Sequence, residues 1–519
     1  MSRSAAVRRR PSRAAAAGAA GVGVLTAVQV LAQVATPGAT FPPLTLAQWL
    51  VHRSPGWLDT VAIERLGYLT LPLMAATTGA ALIAAAAGLG ALAGAWGHPR
   101  AAAAVPVMFA LIPAPSLDGS ALAGTAFGAA AGAIGAWLVV EHADRPTHPQ
   151  VVPPEPVAAS RSSVDRRALL VALVAAMAAM SAGMLLPGSL RRRIEGPGRV
   201  LRGLRFQAAA SAAPLSPIEG VFDHVEGLTA LVTPLGAFYV VDEALADPVI
   251  DPQTWRLEVG GEVARPLRLS LEDLLAFPAV ERFQTLECIS NPVGGQLIST
   301  TRWTGVELRR VLEAAEPGPG SVDVVFRSAD GYSESLTLAA ASDPTTLIAY
   351  GMDGRALSVE HGFPARILST GTYGMQSPKW LVEIELVTSP YDGFWETRGW
   401  SKPATVKTWC RIDTPPSGRR AAGPRSIAGV AFAGDRGVAR VEVSTDDGDT
   451  WTRAELEQAL SPLSWVRWRF DWIPARTGLH TIRARAWDGD GVVQTSGFAP
   501  THPDGASGYP VIAFTVDVV

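Results

Sequence analysis

The sequence predicts three regions in order: a transmembrane α-helical bundle, an α+β domain and an all-β, immunoglobulin-like sandwich. Three observations support this. Long apolar runs are confined to residues 1–190, short alternating runs mixed with helical patterns occupy residues 228–413, and strands separated by tight turns occupy residues 414–519. Residues 191–227, rich in proline and small residues, are typical of a linker. A length of 519 residues also favours several domains.

Apolar runs in residues 1–190 predict about five transmembrane helices, since most are close to the ~20 residues that cross a bilayer. Five arginines before the first run place the N-terminus in the cytoplasm by the positive-inside rule. An odd number of crossings then puts everything after Leu186 on the extracytoplasmic side of the cytoplasmic membrane, although Arg191–Arg193 argue against that orientation. The runs are Ala14–Ala35, Leu66–Trp96, Ala101–Leu117, Ala121–Val140 and Ala168–Leu186.

Composition excludes some classes of function. The formal net charge is −3 and no basic patch stands out, so a nucleic-acid partner is not expected. Apolar residues make up 48% of the chain, which agrees with a membrane region. The two cysteines, Cys288 and Cys410, form neither a CxxC motif nor zinc spacing. Cys410 is predicted to be buried and inert.

The α+β region starts with a short extended run at Thr233–Val240. Trp255–Val259 and Leu267–Leu269 then predict a hairpin around a glycine pair. Ser270 is placed to cap a helix at Leu271–Ala276, because acidic residues occupy its first turn. This mixture predicts an α+β fold rather than alternating βαβ units. Further strands are predicted at Val322–Arg327, Glu334–Leu338 and Ala365–Leu368.

Cys288 stands where a predicted strand ends. A β-like run, Arg282–Leu286, leads into it, and a loop of Ser, Asn, Pro and Gly follows at Ile289–Thr301. A helix is predicted to open at Trp303. Side chains at the rim of a rigid sheet are often functional. From this pattern alone Cys288 is either a site residue or a small buried core hydrophobe.

The C-terminal region alternates with a period of two. Strands are predicted at Val438–Ser444, Trp465–Trp472, Leu479–Trp487 and Val511–Val519, and acidic Gly turns separate several of them. About seven short strands in this length are typical of an immunoglobulin-like sandwich. The many tryptophans are interpreted as core and interface residues.

Two segments resemble the sulfite oxidase family of molybdopterin enzymes. The first is Cys288, Asn291 and then Ser299-Thr300-x-x-Trp303-x-Gly305. The second is His361-Gly362-Phe363-Pro364-x-Arg366, followed at the family's spacing by Lys379-Trp380. The resemblance covers about residues 228–519 and leaves out the membrane region. It implies a sulfite-oxidase-type molybdopterin-binding domain, followed by a domain that the family uses for dimerisation.

The resemblance also implies roles for individual residues. Cys288 would bind molybdenum, and a thiolate is a soft, strongly donating ligand for a redox metal. Arginine and lysine suit the phosphate of the pterin. Trp400 falls where sulfite-oxidising members have an active-site tyrosine. The residues implied to hold the molybdopterin are Tyr239, Val240, Ser328, His361, Arg366, Ser377, Pro378 and Lys379.

The sequence departs from sulfite-oxidising members on the substrate side. Where those members place anion-binding arginines, this chain has Val241 followed by Asp242, and Pro292 followed by Val293. A pocket that loses two cations and gains a carboxylate should bind sulfite poorly. Arg302 or Arg398 would have to compensate. The substrate is therefore expected to be a small molecule that is neutral or larger than sulfite.

The leading hypothesis is a membrane-anchored molybdenum oxidoreductase that catalyses two-electron oxygen-atom transfer on a small, sulfur-containing substrate. It would oxidise a sulfur compound or, as related repair enzymes do, reduce a sulfoxide-like group. The rivals are a non-catalytic binding module that keeps the fold, and a cell-surface sandwich protein, which explains only the residues after 415. The electron acceptor, a quinone or a cytochrome, is left open, and a homodimer is expected.

Two features of the membrane region bear on this hypothesis. Arg166-Arg167, before the fifth run, resembles an internal twin-arginine export signal, which would suit a domain that crosses the membrane already loaded with cofactor. The pair would equally serve to anchor a helix end. No apolar run contains an internal histidine, so no haem is predicted. The bundle is interpreted as an anchor or a docking surface for a partner.

Overall fold

The computed structural model describes residues 218–242 and 247–517, besides Ala85 and Leu89. Apart from Ala85 and Leu89, the five apolar runs lie outside these residues, as do Arg166-Arg167 and most of the predicted linker. Within the part of the chain that is described, no helix is both long and apolar enough to span a bilayer. Residues 218–242 and 250–517 belong to one compact unit.

The α+β domain contains two sheets. The first has five strands in the order β2-β1-β10-β5-β6, of which only β1 and β10 run parallel. The predicted hairpin is confirmed, because β1 and β2 pair antiparallel. The strands of this sheet are β1 (Leu257–Gly261), β2 (Leu267–Leu269), β5 (Asp323–Ser328), β6 (Ser333–Thr337) and β10 (Leu381–Val387).

The second sheet positions the candidate site. Its order is β3-β4-β7-β8, and β9 also pairs with β7. Strands β3 and β4 pair antiparallel along their whole shared length, from Ala279↔Val306 to Glu287↔Ile298. The strands are β3 (Ala279–Glu287), β4 (Ile298–Glu307), β7 (Leu347–Met352), β8 (Arg355–Ala356) and β9 (Arg366–Leu368).

Three short α-helices complete the domain: α1 (Leu271–Leu275), α2 (Leu308–Ala315) and α3 (Leu338–Ala341). The predicted cap of α1 is confirmed as a capping box, since the Ser270 hydroxyl accepts from the Asp273 N–H and the Asp273 carboxylate accepts from the Ser270 N–H. Helix α2 buries Leu308, Val311 and Leu312 in a core cluster to which both sheets contribute. 3-10 turns occur at Leu235–Ala237, Val359–His361, Gly374–Gln376 and Glu396–Arg398.

Two local predictions are wrong. The helix predicted to open at Trp303 begins only at Leu308, because β4 continues to Glu307 between β3 and β7 and places Trp303 in the core with no exposed surface. The extended run predicted at Thr233–Val240 is not a strand; a 3-10 turn occupies Leu235–Ala237 after Pro234. In both cases tertiary packing overrides a local pattern.

The C-terminal region forms the predicted sandwich of two sheets. One has the order β11-β13-β17-β16 and the other β12-β19-β18-β14-β15. Their facing sides bury a core that includes Cys410, Trp468 and Phe514. The strands are β11 (Trp409–Thr414), β12 (Gly418–Ala421), β13 (Arg425–Phe432), β14 (Val438–Ser444), β15 (Thr452–Arg453), β16 (Glu455–Leu456), β17 (Val466–Trp472), β18 (Gly478–Asp488) and β19 (Val511–Asp517).

The sandwich packs against the outer edge of β3. The Ser461 hydroxyl donates to the Phe283 carbonyl at 2.5 Å, and the Thr285 N–H donates to the Leu463 carbonyl at 3.0 Å. The Trp465 N–H donates to the Thr285 hydroxyl at 2.8 Å. Backbone groups that an edge strand would leave unpaired are thus satisfied, and the strand that leads into Cys288 is held from both sides.

Candidate functional site

The Cys288 thiol lies at the end of β3, where the chain leaves the sheet. Its residue is 9% exposed, and its sulfur lies 2.9 Å from the Ser290 hydroxyl. Burial raises the pKa of the thiol, while the hydrogen bond from Ser290 lowers it. Cys288 and Cys410 are both free thiols. The sequence therefore placed Cys288 correctly at a strand end, and the structure adds that the thiol is largely shielded from water.

Backbone and amide hydrogen bonds close the loop after Cys288. The Cys288 N–H donates to the Leu297 carbonyl at 2.9 Å. The Asn291 side chain fastens both ends, because its amide donates to Glu287 at 2.9 Å and its carbonyl accepts from the Leu297 N–H at 3.0 Å. Gly295 is required here, since a Cβ on it would meet the Asn291 side-chain oxygen at 2.2 Å. Asn291 is thus a structural clip for the thiol-bearing loop.

Glu287, one residue before the thiol, is a buried carboxyl group. Burial raises its pKa to about 8, against the opposing effects of the Asn291 amide and the Arg411 charge. At neutral pH it is therefore largely protonated, so the surroundings of Cys288 carry less negative charge than the sequence suggests.

A cradle forms around His361, Gly362 and Arg366. His361 ends a 3-10 turn, and Gly362 follows with φ +101°, a conformation that favours glycine. A Cβ on Gly362 would lie 2.9 Å from the Lys379 Cβ and 3.2 Å from the Arg366 Cβ. The absence of a side chain at this position therefore lets the histidine, arginine and lysine approach one another.

Arg366 is a buried cation whose hydrogen bonds go to backbone carbonyls. Its guanidinium donates to Ser377 O at 2.9 Å, to His361 O at 3.3 Å and to Ile367 O at 3.4 Å. It forms no ion pair with any described carboxylate, and its Cζ lies 5.5 Å from the Trp303 ring centroid. Burial lowers the pKa of Arg366 to about 10. The group stays charged at neutral pH, and the charge of Asp242 acts on it without forming an ion pair.

Two further polar atoms in the cradle are buried without partners: His361 Nε2 and the Ser328 hydroxyl oxygen. Burial, and then the charges of Arg366 and Lys379, lower the pKa of His361 to about 4, so its ring is neutral at pH 7. Ser328 adjoins the cradle because the N–H of the next residue, Ala329, donates to the Trp380 carbonyl. Buried polar atoms normally have partners, so these atoms mark a position for a ligand.

The remaining predicted cradle residues act mainly through the backbone. The Ser377 carbonyl accepts from Arg366, and the Pro378 carbonyl accepts from the Ile367 N–H. The Ser377 hydroxyl bonds the Ser369 N–H at 3.1 Å, which fixes the segment against the end of β9.

Tyr239 joins Cys288 to the cradle. Its N–H donates to the Ser299 hydroxyl at 3.1 Å, on the strand paired with β3, and the ring of the preceding Phe238 packs edge-on against His361 at 5.4 Å between centroids. Burial raises the pKa of its phenol well above normal, and the charges of Cys288 and Arg366 act on it in opposite directions. A Cβ on Gly374 would lie 2.7 Å from its hydroxyl, so the Gly374–Gln376 turn packs against it. Val240, in contrast, is 43% exposed.

Asp242 forms an ion pair with Lys379, and both side chains are largely buried. Lys379 also donates to the Glu360 carbonyl at 2.9 Å. Burial raises the pKa of Asp242, and the Lys379 charge opposes that rise. The carboxylate therefore takes up part of the positive charge on the lysine side of the cradle.

Trp400 lies in a separate aromatic cluster that includes Ile289, the residue after the thiol, together with Tyr373. Its ring packs edge-on against His502 at 5.1 Å between centroids. Its indole N–H is buried without a partner. His502 comes from a loop of the sandwich that sequence reasoning did not single out, because the run Thr501-His502-Pro503 resembles an ordinary turn.

The two arginines that were expected to compensate for the lost anion-binding residues both have other partners. Arg302 forms an ion pair with Glu281 at 3.4 Å. The Arg398 guanidinium carbon lies 3.6 Å from the Phe394 ring centroid, and its Nη1 donates to the Phe394 carbonyl at 2.8 Å.

A buried carboxyl pair, Glu334 and Glu396, was also missed. A Cβ on Gly393 would lie 2.7 Å from one Glu396 side-chain oxygen and 2.8 Å from one Glu334 side-chain oxygen, so the two carboxyls lie close together. Burial raises the pKa of each. The Glu334 carboxylate accepts from the Ser335 N–H at 2.8 Å. The two glutamates belong to different elements, β6 and the turn at Glu396–Arg398, so no sequence spacing would have revealed the pair.

Comparison with known proteins agrees with this geometry. Residues 244–395 match the model of the oxidoreductase molybdopterin binding domain, and residues 414–500 match the Mo-co oxidoreductase dimerisation domain. The chain is 30% identical over 319 residues to sulfite oxidase of Gallus gallus, a match that covers 52% of this chain and 69% of that protein.

Other relatives are similar over less of their own length. The mitochondrial sulfite oxidase of Mus musculus is 32% identical over 52% of this chain and 58% of that protein. The NADH nitrate reductase of Volvox carteri is 30% identical over 50% of this chain and 37% of that protein. This chain thus spans little more than half the length of the mouse enzyme and about a third of the algal one.

A solved structure is similar in fold. The sulfane dehydrogenase SoxCD from Paracoccus pantotrophus matches with a TM-score of 0.51 and 22% identity, over 61% of this chain and 90% of that one. At this identity the match supports the fold alone.

Proposed function

The chain belongs to the sulfite oxidase family of molybdopterin-dependent oxidoreductases, and from that premise we propose that it transfers an oxygen atom, with two electrons, to or from a small sulfur-containing substrate. One observation carries the proposal: a buried guanidinium that forms no ion pair with any described carboxylate lies in a cradle with unpartnered buried polar atoms. Phe238 and Tyr239 connect this cradle to the strand pair that leads into Cys288. A buried cation without an ion-pair partner destabilises a fold, so we do not expect a protein that binds no anion there to keep it.

The residues present fit a phosphate-bearing pterin and its metal. Arg366 supplies unpaired positive charge for the phosphate, with His361 Nε2 and the Ser328 hydroxyl as further hydrogen-bonding groups. Lys379, Tyr239, Val240 and the backbone of Ser377 and Pro378 would complete the contacts. Cys288 would bind the metal, since a bound cation deprotonates a thiol even where burial raises its pKa. When bound, the molybdenum cofactor supplies two-electron oxygen-atom transfer, with water as the source or sink of oxygen.

The protein's own residues would shape access and charge. The loop closed by Asn291 fixes the position of the thiol. The protonated Glu287 and the ion-paired Asp242 keep the net charge near the site low. These charges favour a neutral or larger substrate over a small dianion such as sulfite. The same observation supports a second candidate, reduction of a sulfoxide-like group.

We further propose that about five helices in residues 1–190 anchor the protein in the cytoplasmic membrane, with the catalytic domain on the extracytoplasmic side. The apolar runs and the arginines before the first of them support this. The electron acceptor would then be a membrane quinone or a cytochrome. A homodimer is supported by the match of residues 414–500 to a dimerisation domain.

The first experiment measures molybdenum and pterin in the detergent-purified full chain, next to a Cys288→Ser variant. We expect stoichiometric molybdenum with a phosphate-bearing pterin in the natural protein. The variant should fold, as judged by circular dichroism, yet have only background activity, because it lacks the thiolate ligand. Absence of molybdenum from cells known to make the cofactor would overturn the enzyme and leave a non-catalytic binding module as the better account.

A second measurement addresses the substrate. Steady-state oxidation of sulfite and reduction of a small sulfoxide are compared with artificial electron carriers. Saturable sulfite oxidation at micromolar concentration would remove the preference for a neutral or larger substrate.

A further inference from the structure

Arg411, on strand β11 of the sandwich, reaches into the loop that carries Cys288. Its side chain is 4% exposed. Its Nη1 donates to the Gly295 carbonyl at 2.8 Å and to the Gln296 side-chain carbonyl at 3.1 Å. A residue of the second domain therefore holds the same loop that the Asn291 side chain closes.

The rest of the guanidinium is fixed by other elements. Arg411 Nε donates to Asp413 at 2.5 Å, and Nη2 donates to the Thr229 hydroxyl at 2.7 Å. The second oxygen of the Asp413 carboxylate accepts from the Thr229 N–H at 3.1 Å. The guanidinium thus links β11, the segment at Thr229 and the loop in one buried network. Its contacts with Asp413 and Thr229 fix its orientation independently of the loop.

We propose that Arg411 is a positioning residue for Cys288. Through it, the sandwich domain holds the thiol-bearing loop in place. The inference rests on the proposed role of Cys288 as metal ligand and adds a residue that neither the sequence motifs nor the comparisons assign. A ligand displaced by even about 1 Å can lower a rate by about 100-fold, so such a support affects the chemistry without touching the reacting atoms.

The geometry requires a guanidinium. Arginine presents five donors in a planar fork and here contacts four acceptors in different directions. A lysine ammonium keeps the charge but places its three donors around one atom, so it cannot reach the loop, Asp413 and Thr229 together. Arg411→Lys therefore separates positioning from charge, and Arg411→Met removes both.

The first test uses the full chain purified from cells that do not make the cofactor, so its outcome does not depend on bound metal. Native alkylation of Cys288 by iodoacetamide is followed by peptide mass spectrometry. Cys410, with no exposed surface, is the unreactive thiol in the same chain. We expect Cys288 to be alkylated about tenfold faster or more in both Arg411 variants. The reason is that loss of a charge-assisted hydrogen bond makes local opening of the loop easier. Gln296→Ala, which removes one acceptor, should have a smaller effect in the same direction.

The matched control is Arg419→Met, an exposed arginine on neighbouring strand β12, which should leave the alkylation rate unchanged. In the metal-loaded protein, Arg411→Lys should retain molybdenum but alter the Mo(V) electron paramagnetic resonance signal, which a purely structural residue would not change. Natural rates and a natural signal in Arg411→Lys would overturn the proposal. If the natural protein lacks molybdenum while the alkylation rates still differ, the proposed function fails and the role of Arg411 in holding the loop stands.

Discussion

Arg366 and Arg467 are both buried arginines, yet they are held in opposite ways. Arg467, on β17 of the sandwich, is 1% exposed and binds Glu457 through two parallel hydrogen bonds of 2.6 and 3.0 Å. A second carboxylate, Asp223, lies 2.7 Å from its Nη1. Arg366, 6% exposed, donates hydrogen bonds to backbone carbonyls and forms no ion pair with a described carboxylate.

The difference separates a structural arginine from one that lies in a ligand site. Burial lowers the pKa of both guanidiniums, but hydrogen bonds to Glu457 and Asp223 outweigh burial at Arg467 and raise its pKa. At Arg366 nothing outweighs burial, and the pKa falls to about 10. A buried charge without a partner is costly in a folded chain. A bound anion, such as the phosphate of the pterin, would remove that cost.

The largest effect on stability is expected at Arg467. Arg467→Met should lower the free energy of unfolding by about 3–5 kcal/mol, because it leaves the buried Glu457 carboxylate without a counter-ion. The measurement is chemical denaturation of the full chain in detergent, followed by tryptophan fluorescence, since Trp465 and Trp468 flank this position.

The control for this prediction is Arg419→Met. Arg419 forms a 2.7 Å ion pair with Asp517, but its side chain is 75% exposed. Exposed pairs contribute about 0–1 kcal/mol, so this variant should be near neutral. Equal losses at the two positions would show that burial is not what distinguishes them.

At Arg366 the expected effect is on cofactor retention. Arg366→Met should weaken retention of the pterin about 10- to 100-fold, the range expected when a charge-assisted hydrogen bond is lost. The stability of the cofactor-free chain should change by less than about 2 kcal/mol, because relief of the buried charge offsets the lost bonds to carbonyls. Molybdenum and pterin content after dialysis, and denaturation of the cofactor-free protein, are the two measurements.

Arg366→Lys sharpens this prediction, since it keeps a cation without the planar fork and should give intermediate retention. The comparison between the two arginines would fail if Arg366→Met destabilised the cofactor-free chain as much as Arg467→Met does.

Local sequence chemistry predicted much of the fold. The hairpin at Leu257–Leu269, the capping box at Ser270 and the alternating sandwich strands follow from periods and caps that lie within a few residues. The helix misplaced at Trp303 shows the limit. Its apolar stripe is real from Leu308 onward, but pairing with β3 and β7, which lie elsewhere in the sequence, decides that the residues before it form a strand.

The candidate site also has a part that the sequence predicted and a part that it did not. Cys288, His361, Arg366 and Lys379 were found because they lie in two compact motifs. Arg411 bonds Gly295 from 116 positions away, and Asp242 pairs with Lys379 across a similar distance in the sequence. Neither contact leaves a period or a spacing in the sequence. What the sequence could not supply is therefore the set of long-range electrostatic partners that fix the charge and the position of the motif residues.

Glu334 and Glu396 add a third arrangement, in which two acids are buried close together. Burial raises the pKa of both carboxyls. The folded chain therefore binds more protons than the unfolded chain at pH values above the unfolded pKa of about 4.3 and below the raised folded values. Stability should consequently fall as the pH rises through that window.

Glu396→Gln removes one of the two titrating groups while it keeps a hydrogen-bonding side chain. Its free energy of unfolding should depend less steeply on pH above the unfolded value of about 4.3, so the variant should become more stable relative to the natural chain as the pH rises. Lys402, Asp392 and Tyr332 face the pair and are unchanged in the variant. Denaturation at several pH values measures the slope, with Glu258→Gln as an exposed control. Parallel pH curves for Glu396→Gln and the natural chain would mean that the two carboxyls bind no extra proton in the folded chain.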